Sequence, residues 1–368
     1  MSFPPRRLLV TGGAGFIGAN FVHYWRRVHP RDLIVVLDAL TYAGNRANLH
    51  GIESGEHCIF MHADIRNQQL VEDVLRRHGL DTVVHFAAES HVDRSIAGPD
   101  AFIDTNVVGT HALLKACRRV WLEKGPPLPH RFHHISTDEV YGSLHPSEPA
   151  FSETTPYAPN SPYAASKAAS DHLVRAYAHT YGLSTTTTNC SNNYGPYQFP
   201  EKLIPLMIVN MLEGKPLPVY GDGLNVRDWL YVEDHCAGIE RVLQVGRAGQ
   251  TYNIGAGAEL TNMELVRRLC TVADELFAQD ASLPGRFPAC PAAHRKPCVS
   301  LLTFVADRPG HDRRYAIDAG KIKRELGVTA ATDLDAGSSA RFAGTSIQRT
   351  GGARLRARAS ARTFSRTR

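Results

Sequence analysis

The chain predicts an α/β fold: a doubly wound parallel sheet followed by a smaller C-terminal α/β domain. Three observations carry that prediction. Short apolar strands alternate with helical stretches from residue 8 to about residue 190. The first strand runs directly into Thr11-Gly12-Gly13-Ala14-Gly15-Phe16-Ile17-Gly18 and then a helix. Beyond about residue 190 the pattern gives way to loops and short helices.

Composition bounds the reading. The 368 residues are 43% hydrophobic and 21% charged, as in ordinary globular proteins of one large or two modest domains. No run of about 18 apolar residues exists, so no membrane span or membrane partner is expected. Met1–Arg7 lacks the apolar core of a secretory signal. Seven Cys lie scattered at 58, 117, 190, 236, 270, 290 and 298 without a Cys-x-x-Cys, which reads as free thiols in a reducing cytoplasm. Cys290, His294 and Cys298 alone hint at metal spacing; isolated in a Pro-rich loop, they give no expected metal site. The net charge of +5 belongs to the tail. Residues 327–368 hold eight Arg and two Asp, 8 − 2 = +6, which leaves 5 − 6 = −1 for the body.

In order, Leu8–Val10 is a buried strand and Ala19–Val28 a helix. The glycines between them allow a tight turn and a close backbone approach to a pyrophosphate. The helix N-terminus adds N–H donors and a positive dipole end. Leu33–Leu37 is a second strand, and Asp38 ends it twenty residues after Gly18. An acid there accepts from ribose hydroxyls and repels a 2′-phosphate, which selects NAD over NADP in a Rossmann arrangement. His57–His62 is a third strand, followed by Asp64-Ile65 where an adenine edge can be read. Gln69–His78 has helical spacing. Thr82–Ala87 is the fourth strand, and the small Ala87 and Ala88 at its end leave room for a cofactor. Phe102–Val120 reads as one long helix.

Phe132–Ile135 is a short strand that ends in Ser136-Thr137-Asp138-Glu139. Two adjacent carboxylates at a strand end are costly to place near a core without a use. In a doubly wound sheet, ligands gather at that end of the strands. Tyr163 and Lys167, four apart on the next helix, share a face. There the Lys can lower the phenol pKa by charge and hold a nicotinamide ribose.

The glycine motif with Tyr163-x-x-x-Lys167 resembles the extended short-chain dehydrogenase/reductase family, which acts on nucleotide sugars. Several segments closely resemble its nucleotide-sugar 4,6-dehydratase branch: Asp38-Ala-Leu-Thr-Tyr-Ala-Gly-Asn45, Ala87-Ala-Glu-Ser-His-Val-Asp-Arg-Ser95, Ser136-Thr-Asp-Glu-Val-Tyr-Gly142, Thr188-Asn-Cys-Ser-Asn-Asn-Tyr-Gly-Pro196, Arg227-Asp-Trp-Leu-Tyr-Val232 and Asp307-Arg-Pro-Gly-His-Asp-Arg-Arg-Tyr315. The resemblance runs from about Leu8 to Gly327.

The resemblance implies an NAD-dependent dehydration of thymidine-diphosphate-glucose, a step of deoxysugar biosynthesis. The C4 hydroxyl is oxidised, water leaves across C5 and C6, and C6 is reduced. It assigns Tyr163, Lys167 and Thr137 to the oxidation, Glu139 to the C5 proton and Asp138 to the departing C6 hydroxyl. It implies cofactor contacts at Gly12, Gly15, Phe16, Ile17, Gly18, Asp38, Leu40, Thr41, Asp64, Ile65, Ala87, Ala88, Ser90, Thr105, Tyr163, Lys167 and Asn193. It implies substrate contacts at Ser90, Thr137, Asn192, Lys202, Leu203, Pro218, Tyr220, Arg227, Asn262, Asp307 and His311. It also implies a homodimer through helices 102–120 and 163–181. A 4-epimerase, or an NAD-binding protein without turnover, stays open beside the dehydratase.

The expected domains are an NAD-binding Rossmann domain over 1–190 with a returning segment at 227–255, and a nucleotide-sugar-binding domain over 191–226 and 256–327. Residues 278–300 read as a surface insertion. Residues 328–368, rich in Arg and Ala with little apolar periodicity, are expected to be disordered. A shifted reading frame accounts for that composition better than a nucleic-acid-binding arm, so no nucleic-acid partner is expected.

Overall fold

The computed structural model describes residues 6–52, 56–123, 128–307, 310–335 and 337. The chain divides into two compact units. The first comprises Met1–Tyr197, Asn225–Leu260 and Arg308–Ala331; the second comprises Gln198–Leu224, Thr261–Asp307 and Thr332–Arg368.

The first unit is built on strands β1 (Arg7–Thr11), β2 (Leu33–Asp38), β3 (Cys58–His62), β4 (Thr82–His85), β5 (Arg131–Thr137) and β6 (Thr185–Cys190). A short strand β7 (Asn192–Tyr194) follows. β8 (Leu217–Tyr220) and β12 (Leu302–Val305) lie in the second unit, whereas β9 (Val226–Tyr231) and β10 (Thr251–Ile254) lie in the first and β11 (Glu259–Thr261) begins there. Seven strands form one sheet in the order β10-β6-β5-β4-β1-β2-β3, with parallel pairing throughout. The near-continuous apolar runs of β1 and β2 fit a sheet covered on both faces.

The helices are α1 (Phe16–Val28), α2 (Gln68–His78), α3 (Val92–Ala97), α4 (Asp100–Phe102), α5 (Thr110–Trp121), α6 (Pro162–Tyr181), α7 (Leu203–Leu212), α8 (Val232–Val245), α9 (Asn262–Gln279), α10 (Leu283–Arg286) and α11 (Gly320–Leu326). On one sheet face Phe21, Val22 and Trp25 of α1 share a core cluster with Ile239 and Val242 of α8 and with Ile322 and Leu326 of α11. On the other, Val71 and Leu75 of α2 join Leu113 and Cys117 of α5 and Val174 of α6.

Strand order reverses between β1 and β4: β2 and β3 lie to one side, β5 and β6 to the other. Ligands bind in the crevice that such a reversal opens at the carboxyl ends of the strands. Three expected site segments leave the sheet there: the glycine turn after β1, the Ala87-Ala88 loop after β4 and Thr137-Asp138-Glu139 after β5.

The structure alters several expectations. The helix expected over Phe102–Val120 is not uniform; Ile103–Gly109 form a π-helical segment before α5. The stretch expected to lie wholly in the second domain after residue 256 returns to the first unit at Arg308–Ala331. There Leu144 N donates to Arg314 O, Phe151 N to Ala316 O and Asp318 N to Phe151 O. Tyr315 and Ala316 thereby pack with Val140, Tyr141 and Phe151.

In the second unit, β8 and β12 pair in parallel. The 278–300 stretch is folded, with Phe287, Cys290 and Cys298 buried. Cys290 Sγ lies 3.7 Å from Cys298 Sγ, while His294 Nε2 pairs with the carbonyl of Pro288. Among the described residues no group of three or more His, Cys, Asp or Glu is placed to hold a metal ion.

The expectation for 328–368 falls mostly outside the described residues. Within the described part, Val328 and Ala330 pack on the first unit's core and Ala331 N donates to Asp234 Oδ2 at 3.2 Å. Apolar contacts thus continue past Gly327.

Candidate active site

The glycine turn is shaped for close approach. Gly12 has φ +69°, and a Cβ there would stand 2.5 Å from Ala87 N. A Cβ on Gly18 would stand 2.3 Å from Gly12 O. No side chain caps the N-terminus of α1 at Gly15. Its first N–H groups, at Phe16 and Ile17, are therefore left for an anion to satisfy.

Asp38 closes the turn from the next strand. Its Oδ2 accepts from Ala14 N at 2.9 Å and its Oδ1 from Leu40 N at 2.8 Å. Each oxygen keeps a further lone pair for a ribose hydroxyl. Burial raises this carboxyl pKa, and the two backbone donors work against that rise. Leu40 sits at φ +49°, a strained conformation for a side-chain-bearing residue that accumulates at ligand sites. The Thr41 side chain hydrogen-bonds Glu89, which brings the β2 and β4 exit loops together. A small-residue cradle, an uncapped helix and an acid with spare acceptors fit NAD.

Other expected cofactor residues are held differently. Asp64 is engaged by Arg66, which donates from its backbone N at 2.8 Å and from its guanidinium at 2.7 Å, while Ile65 is buried beside it. Ala87 N approaches Thr11 Oγ1 at 3.4 Å. Asn193 donates to Ser191 O, and its Oδ1 pairs with His235 Nδ1 at 2.9 Å.

A residue that the sequence did not single out ties this face together. Asn106 accepts from Glu89 N at 2.9 Å and donates to Glu89 O at 2.9 Å and Ser166 Oγ at 2.8 Å. It fixes the Ala87–Ser90 loop against α6. It lies in the π-helical segment with Thr105. Widened turns of this kind recur at functional sites, and no apolar period announces them.

The reacting groups meet where β5 ends. Thr137 caps the short 3₁₀ turn Asp138–Tyr141, and Glu139 N donates to its hydroxyl at 3.3 Å. Asp138 is buried, Glu139 only partly. Thr137 Oγ1 donates to Asp138 Oδ1 at 3.4 Å, whereas Asp138 Oδ2 has no partner among the described residues. Burial pushes the Asp138 carboxyl well above the usual range. The charges of Glu139 and Asp228 add to the shift, and Arg227 opposes it. Adjacent acids in unlike environments separate into a proton donor and a proton acceptor.

Tyr163 and Lys167 lie on one buried face of α6. Lys167 Nζ donates to Ile135 O at 2.8 Å, so the ammonium is fastened to the strand, not to the phenol. The lowering of the Tyr163 pKa expected from Lys167 does not prevail over burial. Burial raises that pKa well above its ordinary value, the charges of Glu139, Cys190 and Asp138 add to this, and the hydrogen bond with Thr137 opposes it.

The expected substrate residues fall in both units. In the first, Arg227 is buried, donates to Asp312 O at 2.9 Å and stacks its guanidinium 4.2 Å above the Tyr315 ring. The Asn192 side-chain carbonyl is buried without a partner among the described residues. His311 and Ser90 are partly buried.

In the second unit, Lys202 stands at the N-cap of α7 and Leu203 is its first residue. Pro218 and Tyr220 lie on β8, and the neighbouring Gly221 passes so close to Asp307 that a Cβ would stand 2.9 Å from its Oδ2. Asn262 opens α9 just after Thr261 and Glu264 form a capping box. Met263 N donates to Gly223 O, which draws that helix start to the loop after β8.

Residues 9–340 match the family described as GDP-mannose 4,6 dehydratase, past the Gly327 limit of the resemblance. A dTDP-glucose 4,6-dehydratase of Xanthomonas campestris pv. campestris is 56% identical over 331 residues, 89% of this chain and 90% of the relative. One of Salmonella typhimurium is 52% identical over 341 residues, 90% of each. A crystal structure of a dTDP-glucose 4,6-dehydratase from Streptomyces venezuelae, with NAD bound, superposes with a TM-score of 0.82 at 47% identity, covering 95% of this chain and 99% of that one.

Proposed function

The chain belongs to the dTDP-glucose 4,6-dehydratase family, and on that premise we propose how its residues share the family's reaction. It is an NAD-dependent enzyme that converts dTDP-glucose to dTDP-4-keto-6-deoxyglucose. The observation that carries the assignment is the pair Asp138 and Glu139, adjacent at the end of β5 in unlike environments.

Gly12, Gly15, Phe16, Ile17, Gly18 and Asp38 hold the cofactor's adenosine and diphosphate. Lys167 holds its nicotinamide ribose. NAD, when bound, supplies the acceptor of the C4 hydride and its later donor. Tyr163 takes the proton of the C4 hydroxyl, and Thr137 hydrogen-bonds the same oxygen. Tyr163 must be a phenolate to do so; burial opposes that form, the Thr137 hydrogen bond favours it, and the cationic nicotinamide would favour it further when NAD is bound. Once C4 is a ketone, the C5 hydrogen is acidic; Glu139 removes it, and a proton returns to C5 when C6 is reduced. Asp138, kept protonated by burial, gives its proton to the C6 hydroxyl, which departs as water.

Asn192, Arg227 and His311 in the first unit are the proposed contacts of the substrate's diphosphate and sugar. Lys202, Leu203, Pro218, Tyr220, Asn262 and Asp307 in the second are proposed contacts of its nucleotide. A 4-epimerase would use Tyr163, Lys167 and Thr137 and leave Asp138 and Glu139 without a task. The enzyme is further proposed to act as a cytoplasmic homodimer. Ile103 and Val108 in the π-helical segment and Tyr181 at the end of α6 support the dimer, being large exposed apolar side chains.

The test is direct: incubate the purified chain with NAD⁺ and dTDP-glucose and follow the alkaline absorbance of the 4-keto sugar. No product from a folded, NAD-binding chain contradicts the assignment.

A further inference from the structure

One buried carboxylate outside the reacting set touches every element that carries that set. Asp171 lies one helical turn beyond Lys167 on α6. Its Oδ2 accepts from Ser136 Oγ at 2.8 Å, the residue immediately before Thr137, and from Tyr157 OH at 2.9 Å in the loop that leads into α6. Its Oδ1 lies 3.0 Å from His134 Nε2 on β5, off the donor axis, so that oxygen has no aligned hydrogen-bond partner among the described residues. Resting on the dehydratase reading, we propose that Asp171 is a positioning residue for this reaction. Its carboxylate supplies the negative charge facing the buried Lys167 ammonium and ties the strand end of Thr137, Asp138 and Glu139 to the helix of Tyr163.

Charge balance supports this. Lys167 is buried, and desolvation lowers its pKa; the charge of Asp171 chiefly opposes this, and that of Cys190 adds to it. Burial in turn raises the Asp171 pKa to about 6, against the charge of Lys167 and the donors Ser136 and Tyr157. The other ionisable groups facing the pair come from several elements. His85 on β4 and His134 on β5 both have pKa values lowered well below the ordinary range by burial, so both are neutral there. Cys190 on β6 has a pKa raised to about 12, mainly by burial. Tyr141 and Tyr157 feel the charge of Asp171, and burial raises both. His172, on the same helix, also faces Asp171. The π-helical segment presents Asn106 to Ser166, which does not titrate. Asp171 is thus the carboxylate of this group, and its protonation removes the charge opposite Lys167.

The sign follows. As pH falls through about 6, Asp171 takes a proton and Lys167 loses its counter-charge. Replacing the acid by an amide has the same effect at every pH and lowers the Lys167 pKa further.

The experiment compares wild type with Asp171→Asn, which keeps the side-chain shape. NAD⁺ affinity is read from tryptophan fluorescence and turnover from the 4-keto product, both across pH. Wild type should show an acid limb near pH 6 in both readouts. The variant should lose that limb, bind NAD⁺ roughly tenfold more weakly at neutral pH, and lose its alkaline limb roughly one pH unit earlier. Wild-type affinity with both limbs unchanged overturns the proposal. Should circular dichroism show Asp171→Asn unfolded, Tyr157→Phe decides instead. It removes one donor to the carboxylate, so the acid limb must move to higher pH, and an unmoved limb overturns the proposal. A wild type that binds NAD⁺ without making product counts against the dehydratase reading alone, because the affinity profile still reports on Asp171.

Discussion

Lys167 donates its buried ammonium to the carbonyl of Ile135 at 2.8 Å, which locks the helix of Tyr163 to the strand that ends in Thr137, Asp138 and Glu139. The oxidising and eliminating groups therefore sit on one rigid frame. The consequences are separable by substitution.

Glu139→Gln should remove the C5 base and leave Tyr163, Lys167 and Thr137 in place. Dehydration should fall by about 10²–10⁴-fold, the usual weight of a general base. Single-turnover absorbance of reduced cofactor should still show C4 oxidation. Unchanged dehydration would remove Glu139 from its role.

Asp138→Asn should separate activity from stability. Burial holds this carboxyl well above the usual range, so the native chain keeps a proton that the unfolded chain releases. The stability of that protonated form is complete below the unfolded value of about 3.9 and is lost as pH rises toward the native value. The amide does not titrate. The variant should therefore match wild type near pH 4 and melt at a higher temperature at neutral pH. Dehydration should meanwhile fall by about 10²-fold or more. A lower melting temperature at neutral pH would contradict a neutral Asp138.

Gly12→Ala places a Cβ at φ +69° and 2.5 Å from Ala87 N. Both the conformation and the clash oppose it, at a combined cost of about 2 kcal/mol or more. Calorimetry should show a lower melting temperature and titration a loss of NAD⁺ affinity. An unaffected affinity would detach this turn from the cofactor.

Asn106→Leu leaves the backbone N–H and C=O of Glu89 without their side-chain partner. Denaturant unfolding should show a loss of about 1–3 kcal/mol. Turnover should fall as well, because the Ala87–Ser90 loop loses its tie to α6. Native stability would contradict the tie.

These outcomes follow from features of unequal visibility in the sequence. The strands were legible because a parallel sheet covered on both faces demands unbroken apolar runs, as in Leu8–Val10 and Leu33–Leu37. The glycine turn, Asp38 and the Tyr163–Lys167 pair were legible because each has a fixed spacing. The π-helical turn at 103–109 was not, since its apolar pattern is that of an ordinary helix and the bonds of its Asn106 to Glu89 and Ser166 are long-range. The return of residues 308–331 to the first unit depends on long-range bonds such as Phe151 N to Ala316 O, which leave no local signature. The direction of the Tyr163 pKa is not legible in the sequence, because spacing reports a Lys one turn away but not the depth of burial.

The central claim is that one pocket removes a hydride from C4, a proton from C5 and water from C6, and returns the hydride to C6. Turnover of dTDP-glucose deuterated at C4, followed by NMR of the product, tests it most directly. The account predicts a 4-keto-6-deoxy sugar with the deuterium at C6 and a solvent hydrogen at C5. Label retained at C4 in an epimerised sugar, or no product from a folded chain that binds NAD⁺, would contradict it.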